Sequence, residues 1–211
     1  MSRDNILHKV RTALGRSAGQ AVAEVPPVRL RVPDVAMEDR IALFRSRLEA
    51  LAGKTARVPT MEAAREFASA AIAGKTAVAS NAPYLEECGI AALPGVRTGI
   101  REVGELTEVC ARVDIGITSA DYALSDTGTL VMIASPAEAR LVSLLPPAHL
   151  AVVPRERILT GLDELFTLLP DPAAQTSSLV LITGPSRTAD IEQILVRGVH
   201  GPGQITVVIV G

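Results

Sequence analysis

Two stretches of this chain concentrate residues able to bind a small polar molecule and move its protons. The first is Thr118-Ser119-Ala120-Asp121-Tyr122-Ala123-Leu124-Ser125-Asp126-Thr127-Gly128-Thr129. Two carboxylates in one cleft can be driven to different pKa values, so Asp121 and Asp126 are candidates for a general base or a hydroxyl anchor. Thr127 and Thr129 would add hydroxyl donors beside the turn made by Gly128. Asp-Thr-Gly-Thr is equally a plain turn-and-restart signal, and spacing alone leaves both readings open.

The second stretch is Thr183-Gly184-Pro185-Ser186-Arg187-Thr188-Ala189-Asp190-Ile191-Glu192, followed by Gly198-Val199-His200-Gly201-Pro202. Gly184 and Pro185 turn the chain off a strand. Ser186 or Thr188 would cap a helix whose first turn carries Asp190 and Glu192, and Gly198 would end it. That account leaves Arg187 unexplained. A strand, a Gly turn and a helix start form an anion-binding corner, where Gly184, Ser186 and Thr188 would surround a carboxylate or phosphate clamped by Arg187. His200 would shuttle a proton. The expectation is one cleft holding Asp126, Arg187 and His200, with Arg187 tying two loops together as the competing role. His149, opening an apolar run, reads as structural, and His8 as solvated.

Several chemistries lack a signature. There is no G-x-x-x-x-G-K-[ST] loop, no G-x-G-x-x-G turn and no G-x-S-x-G elbow. The two cysteines, Cys88 and Cys110, have no Cys or His companion at ligand spacing. Neither zinc nor an iron–sulfur cluster can be built from such a set, so no metal and no cofactor is expected on this chain.

Composition narrows the classes further. The 211 residues carry 21 Lys and Arg against 23 Asp and Glu, and only 2% are aromatic. This argues against nucleic-acid binding, which favours strong positive charge and stacking platforms. No run approaches the ~18 uncharged apolar residues of a membrane span, and the start is polar rather than signal-like, so a cytoplasmic protein is expected. Charge is uneven: residues 1–60 hold eleven basic against six acidic residues, and residues 61–211 hold ten against seventeen.

The elements that must position these loops follow from periodicity. Ile6, Leu7, Val10 and Leu14 share one helical face ending at Gly15, and Pro26, Pro27 and Pro33 mark a linker. Residues 1–35 thus read as a basic helical arm with a Pro-rich linker, and 36–211 as the main domain. Helices are expected at Met37–Leu51, Met61–Ile72, Pro83–Cys88, Gly104–Ala111, Ala137–Leu144, Gly161–Leu168 and Ala189–Arg197. Between them, β-branched apolar runs predict strands at Thr76–Ala79, Val113–Thr118, Thr129–Ala134, Leu150–Val153, Leu179–Thr183 and Ile205–Val210. This alternation implies an α/β fold, a mostly parallel sheet with helices on both faces. The short connection before Thr129 allows a local antiparallel pair.

The runs Thr118–Met132, Ser143–His149, Gly184–Glu192 and Gly198–Pro202, in this order, closely resemble the LUD-domain family, in particular its lactate utilization protein C group (LutC, YkgG). The resemblance covers about residues 110–211. It implies a NagB/ribose-5-phosphate isomerase/CoA-transferase-like fold and a part in oxidising L-lactate to pyruvate. It also implies two partners, an iron–sulfur subunit and a Cys-rich subunit, which would carry the redox centres. This chain would then be the component without a redox centre, binding a small carboxylate metabolite. Val113–Asp121 also resembles the strand and acidic loop of ribose-5-phosphate isomerases, but Tyr122 stands where a second acidic residue is expected. A stand-alone isomerase-like enzyme on a small phosphorylated or carboxylated metabolite, and a metabolite-binding regulatory module, remain the alternatives. Homo-oligomerisation stays open.

Overall fold

A computed structural model describes residues 2–17, 19–21, 30–188, 196–198 and 200–211. The first helix, α1 (Arg3–Ala13), is capped by the Ser2 hydroxyl and buries none of its residues. Ile6, Val10 and Leu14 of its apolar face are 50%, 49% and 65% exposed. The main body begins with α2 (Met37–Ala50), β1 (Lys54–Val58) and α3 (Met61–Ala71). Then come β2 (Ala77–Ala79), α4 (Pro83–Glu87), β3 (Val96–Arg97) and α5 (Val103–Cys110). The middle third is β4 (Ile115–Ser119), β5 (Tyr122–Leu124), β6 (Thr129–Ile133), α6 (Arg140–Leu144) and β7 (Ala148–Pro154). The rest is β8 (Ile158–Leu159), α7 (Leu162–Leu168), α8 (Pro172–Gln175), β9 (Leu179–Ile182), β10 (Arg187–Thr188), β11 (Val196–Arg197) and β12 (Gln204–Val210).

Six strands form a sheet in the order β1-β12-β7-β4-β2-β3. Every ladder in it is parallel. Parallel strands need both faces covered, and alternate side chains accordingly enter two cores. On one face Ile115, Ile117, Leu150, Val152 and Val208 pack on Ala64 and Ala68 of α3 and Leu85 of α4. On the other, Ala151, Val153, Val207 and Ile209 meet Ile41, Phe44 and Leu48 of α2 and residues of a second sheet. That second sheet has the order β8-β5-β6-β9. Its β5–β6 pair is antiparallel, so the antiparallel partner of Thr129–Ile133 is the unexpected strand Tyr122–Leu124 and not β4, which pairs only in the parallel sheet.

The central strand β4 fits its neighbours through Gly116. A Cβ there would fall 1.9 Å from the Val142 carbonyl oxygen, so α6 can approach the sheet only over a glycine. His149 beside it is buried, with Nε2 2.7 Å from the Thr118 hydroxyl. Burial lowers its pKa to about 4, which keeps the ring neutral and structural.

One expected helix needs correction. Val196–Arg197, the end of the Ala189–Arg197 segment, is a strand paired antiparallel with Arg187–Thr188; residues 189–195 lie outside the described residues. The backbone explains the difference at both ends. Ser186 donates its N–H to the Pro202 carbonyl and accepts from the Gly198 N–H, so the loop closes on itself. The expected helix at Ala137–Leu144 starts later, at Arg140, leaving Ala137 and Glu138 in a turn.

Candidate functional site

In open parallel sheets ligands bind beyond the carboxyl ends of the strands. Here β2 ends at Ser80, β4 at Ser119 and Asp121, and β7 runs out towards Arg157. The turn after β6 brings Ser135 and Glu138 to the same place. Together with Tyr84 of α4, the side chains of Ser119, Asp121, Ser135, Glu138 and Arg157 line a cavity of about 240 Å³. That is smaller than the roughly 300–1,000 Å³ of drug-sized sites and suits a metabolite of a few carbons.

Glu138 is the most unusual group in this cavity. It is 6% exposed, and its Oε2 accepts from the Ser80 hydroxyl at 2.8 Å. Its Oε1 is buried with no hydrogen-bond partner among the described residues. The turn that holds it is tight: the Glu138 N–H donates to the Ser135 carbonyl and hydroxyl, and Ser135 donates back to the Glu138 carbonyl. Burial pushes the carboxyl up to about 8; the neighbouring Asp121 charge pushes the same way, and the Ser80 hydroxyl and the Ser119 backbone N–H oppose them. Glu138 therefore holds its proton near neutral pH.

Asp121 is fixed by the backbone of β6. Its N–H donates to the Val131 carbonyl at 3.0 Å, and its Oδ2 accepts from the Ile133 N–H at 2.7 Å. Burial raises its pKa as well, against the pull of the Ile133 N–H and the Arg157 charge. Two carboxyl groups in one desolvated cleft do not both ionise easily, which is the arrangement that separates an acid from a base. Arg157 is exposed and, among the described residues, enters no ion pair. Burial pushes the Tyr84 phenol up, so it too keeps its proton and can donate.

The other expected site residues gather elsewhere. Asp121 and Asp126 stand at opposite ends of the β5–β6 hairpin, whose three paired positions separate them by about 10 Å of strand. Asp126 lines a different hollow, of about 270 Å³, with Arg31, Pro33, Thr160 and Gly161. Thr127 donates to Asp126 Oδ1 at 3.2 Å, and the Thr129 hydroxyl lies 2.8 Å from that of Thr127 and 2.7 Å from that of Thr183. This hydroxyl chain joins the two loops.

Both loops also close on the C-terminal end of α2. Gly128, at φ +68°, approaches Leu48 N so closely that a Cβ would sit 2.5 Å away, and Gly184, at φ +86°, packs on Leu51. The Arg187 guanidinium donates to the Leu51 carbonyl, a favoured place for a cation at a helix C-terminus. Gly201 packs on Ser186, and His200 beside it is exposed. Thr188 pairs with Val196 through the backbone. The structure thus links Thr127 and Thr129 to Thr183, sets Gly128 and Gly184 against the end of α2, turns Asp126 towards Thr160 and Gly161, and places Asp121 in the separate cavity of Glu138.

A larger hollow of about 370 Å³ lies at the opposite, N-terminal ends of the strands, between Lys54, Lys75, Gln204 and an apolar floor including Phe67 and Leu150. It has none of the buried carboxyl groups. Among the described residues, no cluster of His, Cys, Asp and Glu is arranged to hold a metal, and no helix is long and apolar enough to cross a membrane.

An α/β chain with a six-stranded parallel sheet and a polar cleft at its carboxyl edge defines the class. Residues 41–210 match the LUD domain, and the chain belongs to that family. It is 40% identical over 107 residues to lactate utilization protein C from an Exiguobacterium species, covering 49% of this chain and 46% of that one. It is 38% identical over 110 residues to lactate utilization protein C from Macrococcus caseolyticus, covering 50% of this chain and 48% of that one. The aligned segment thus spans about half the length of these curated relatives. The fold is shared with a DUF162 family protein from Deinococcus radiodurans, with a TM-score of 0.63 and 20% identity over 84% of this chain and 99% of that one.

Proposed function

We propose that this chain works in L-lactate utilization as the component that holds the small carboxylate, in the cleft formed by Asp121, Glu138 and Arg157. The observation that carries the reading is the buried Glu138 lining the cavity, with one oxygen on Ser80 and the other buried without a partner among the described residues. Arg157 supplies a planar, permanently charged partner for a carboxylate, which Lys would offer only as a point charge. Oxidation of the alcohol to a ketone releases two electrons and two protons, one from the hydroxyl and one from the carbon; Asp121 accepts the hydroxyl proton, and the carbon's hydrogen leaves with the electrons. The two electrons of that reaction leave to iron–sulfur and Cys-rich partner subunits. The relatives named lactate utilization protein C support this assignment.

The test is lactate-dependent dye reduction by the purified chain, alone and with the iron–sulfur and Cys-rich subunits. Reduction that needs all three, and falls at least tenfold with Arg157→Ala, is expected. Activity unaffected by omitting this chain contradicts the reading. The paired carboxyls also favour a second reading, a stand-alone isomerase-like enzyme. Partner-independent turnover of a sugar phosphate or hydroxy acid would select it.

A further inference from the structure

We propose that Glu138 is a ligand-contacting, specificity-determining residue: its Oε1 hydroxyl donates to an oxygen on the second carbon of the ligand while Arg157 holds the carboxylate. This rests on the reading of the cleft as a carboxylate site and adds which carboxylates it accepts.

The geometry of the two oxygens carries it. Oε2 already accepts from the Ser80 hydroxyl, so a proton on the carboxyl resides on Oε1. Glu138 lines the cavity, and its Oε1 is buried with no hydrogen-bond partner among the described residues. A buried donor left unsatisfied is unfavourable, and a ligand atom that accepts from it removes the penalty. The groups facing Glu138 explain why it is a donor. Asp121, from the turn after β4, places a like carboxyl beside it; Ser119, Ser135 and Tyr84 are neutral; Glu87 of α4 adds negative charge at the wall. Arg157 is the cation of the cavity. Glu138 is deep and Arg157 exposed, so a ligand enters with its carboxylate at the mouth and its second carbon inside. Pyruvate or lactate offers an acceptor there. Propionate, of equal length, offers none, and a site built around a buried polar group rejects the analogue that leaves it unpaired.

Calorimetric titration of the full chain with pyruvate and with propionate, at pH 7 and pH 9.5, tests this. The wild type is expected to prefer pyruvate at least tenfold at pH 7 and to lose most of that preference at pH 9.5. Glu138→Gln, whose amide donates at any pH, keeps the preference at both. Glu138→Leu binds the two acids within about twofold of each other. A pyruvate preference unchanged at pH 9.5 in the wild type, or surviving in Glu138→Leu, overturns the assignment while leaving the carboxylate site standing. If neither acid binds, or if Arg157→Ala leaves both affinities unchanged, the carboxylate reading falls and the role of Glu138 with it. Should Glu138→Leu not fold, the pH comparison between wild type and Glu138→Gln decides.

Discussion

The Ser80 hydroxyl donates to Glu138 Oε2 at 2.8 Å, joining the end of β2 to the turn after β6 across 58 residues of sequence. The bond crosses from the parallel sheet to a loop of the second sheet, so it fixes a carboxyl that neither element could orient alone. Ser80→Ala leaves a buried acceptor without its donor and is expected to destabilise the fold by about 1–2 kcal/mol. Urea unfolding at pH 7 should show a lower midpoint with an unchanged slope. An unchanged midpoint would mean that the bond contributes nothing.

Stability should also report the Glu138 proton. Its pKa rises from an ordinary 4.5 to about 8 on folding, so between those values the folded chain binds more protons than the unfolded one. The contribution is full below about pH 4.5 and is lost as pH climbs through about 8, with a slope of up to about 1.4 kcal/mol per pH unit. Denaturation of wild type and Glu138→Gln from pH 5 to 9 should show the two diverging, the variant losing less with rising pH. Parallel curves would show that Glu138 ionises in the fold as it does in water.

Arg187 is expected to act on stability. Its guanidinium caps the carbonyl end of α2 at Leu51. Arg187→Ala should lower unfolding free energy by about 0.5–1.5 kcal/mol and leave pyruvate affinity within twofold. A tenfold loss of affinity at constant stability would move the ligand to the Asp126–Arg187–His200 loops.

The arm makes a separate prediction, because α1 has no buried residue. Deleting residues 2–17 should change stability by less than about 0.5 kcal/mol. Association with the partner subunits should weaken, and the difference between deleted and full chains should shrink as salt rises. Identical association at low salt would leave the arm without this role.

Four strands of the parallel sheet, β2, β4, β7 and β12, were legible because they are apolar and bounded by turns, and Asp121 was legible because it follows such a strand; the edge strand β1, Lys54-Thr55-Ala56-Arg57-Val58, carries two cations and no apolar run and was missed. Short β3, β5 and β8 carried too few residues for a period to register. Glu138 was hidden by its local context. Ser135-Pro136-Ala137-Glu138 has the spacing of a helix capping box, in which the acid would turn back to its own backbone. Half of that box forms, since the Ser135 hydroxyl accepts from the Glu138 N–H, but the carboxyl goes to Ser80 instead. Only the long-range packing of β2 against β4 brings the partner within reach. Arg157 was equally silent, one of two Arg in Pro154-Arg155-Glu156-Arg157. The hairpin that separates Asp121 from Asp126 depends on a register that spacing does not reveal.

The central claim is the place of the carboxylate, and a crystal structure of the chain grown with pyruvate tests it most directly. The account predicts density in the cavity of Asp121 and Glu138, the carboxylate against the Arg157 guanidinium and the 2-oxygen within hydrogen-bond distance of Glu138 Oε1. Pyruvate seated instead between Asp126, Arg187 and His200, with the Glu138 cavity holding only water, would contradict it.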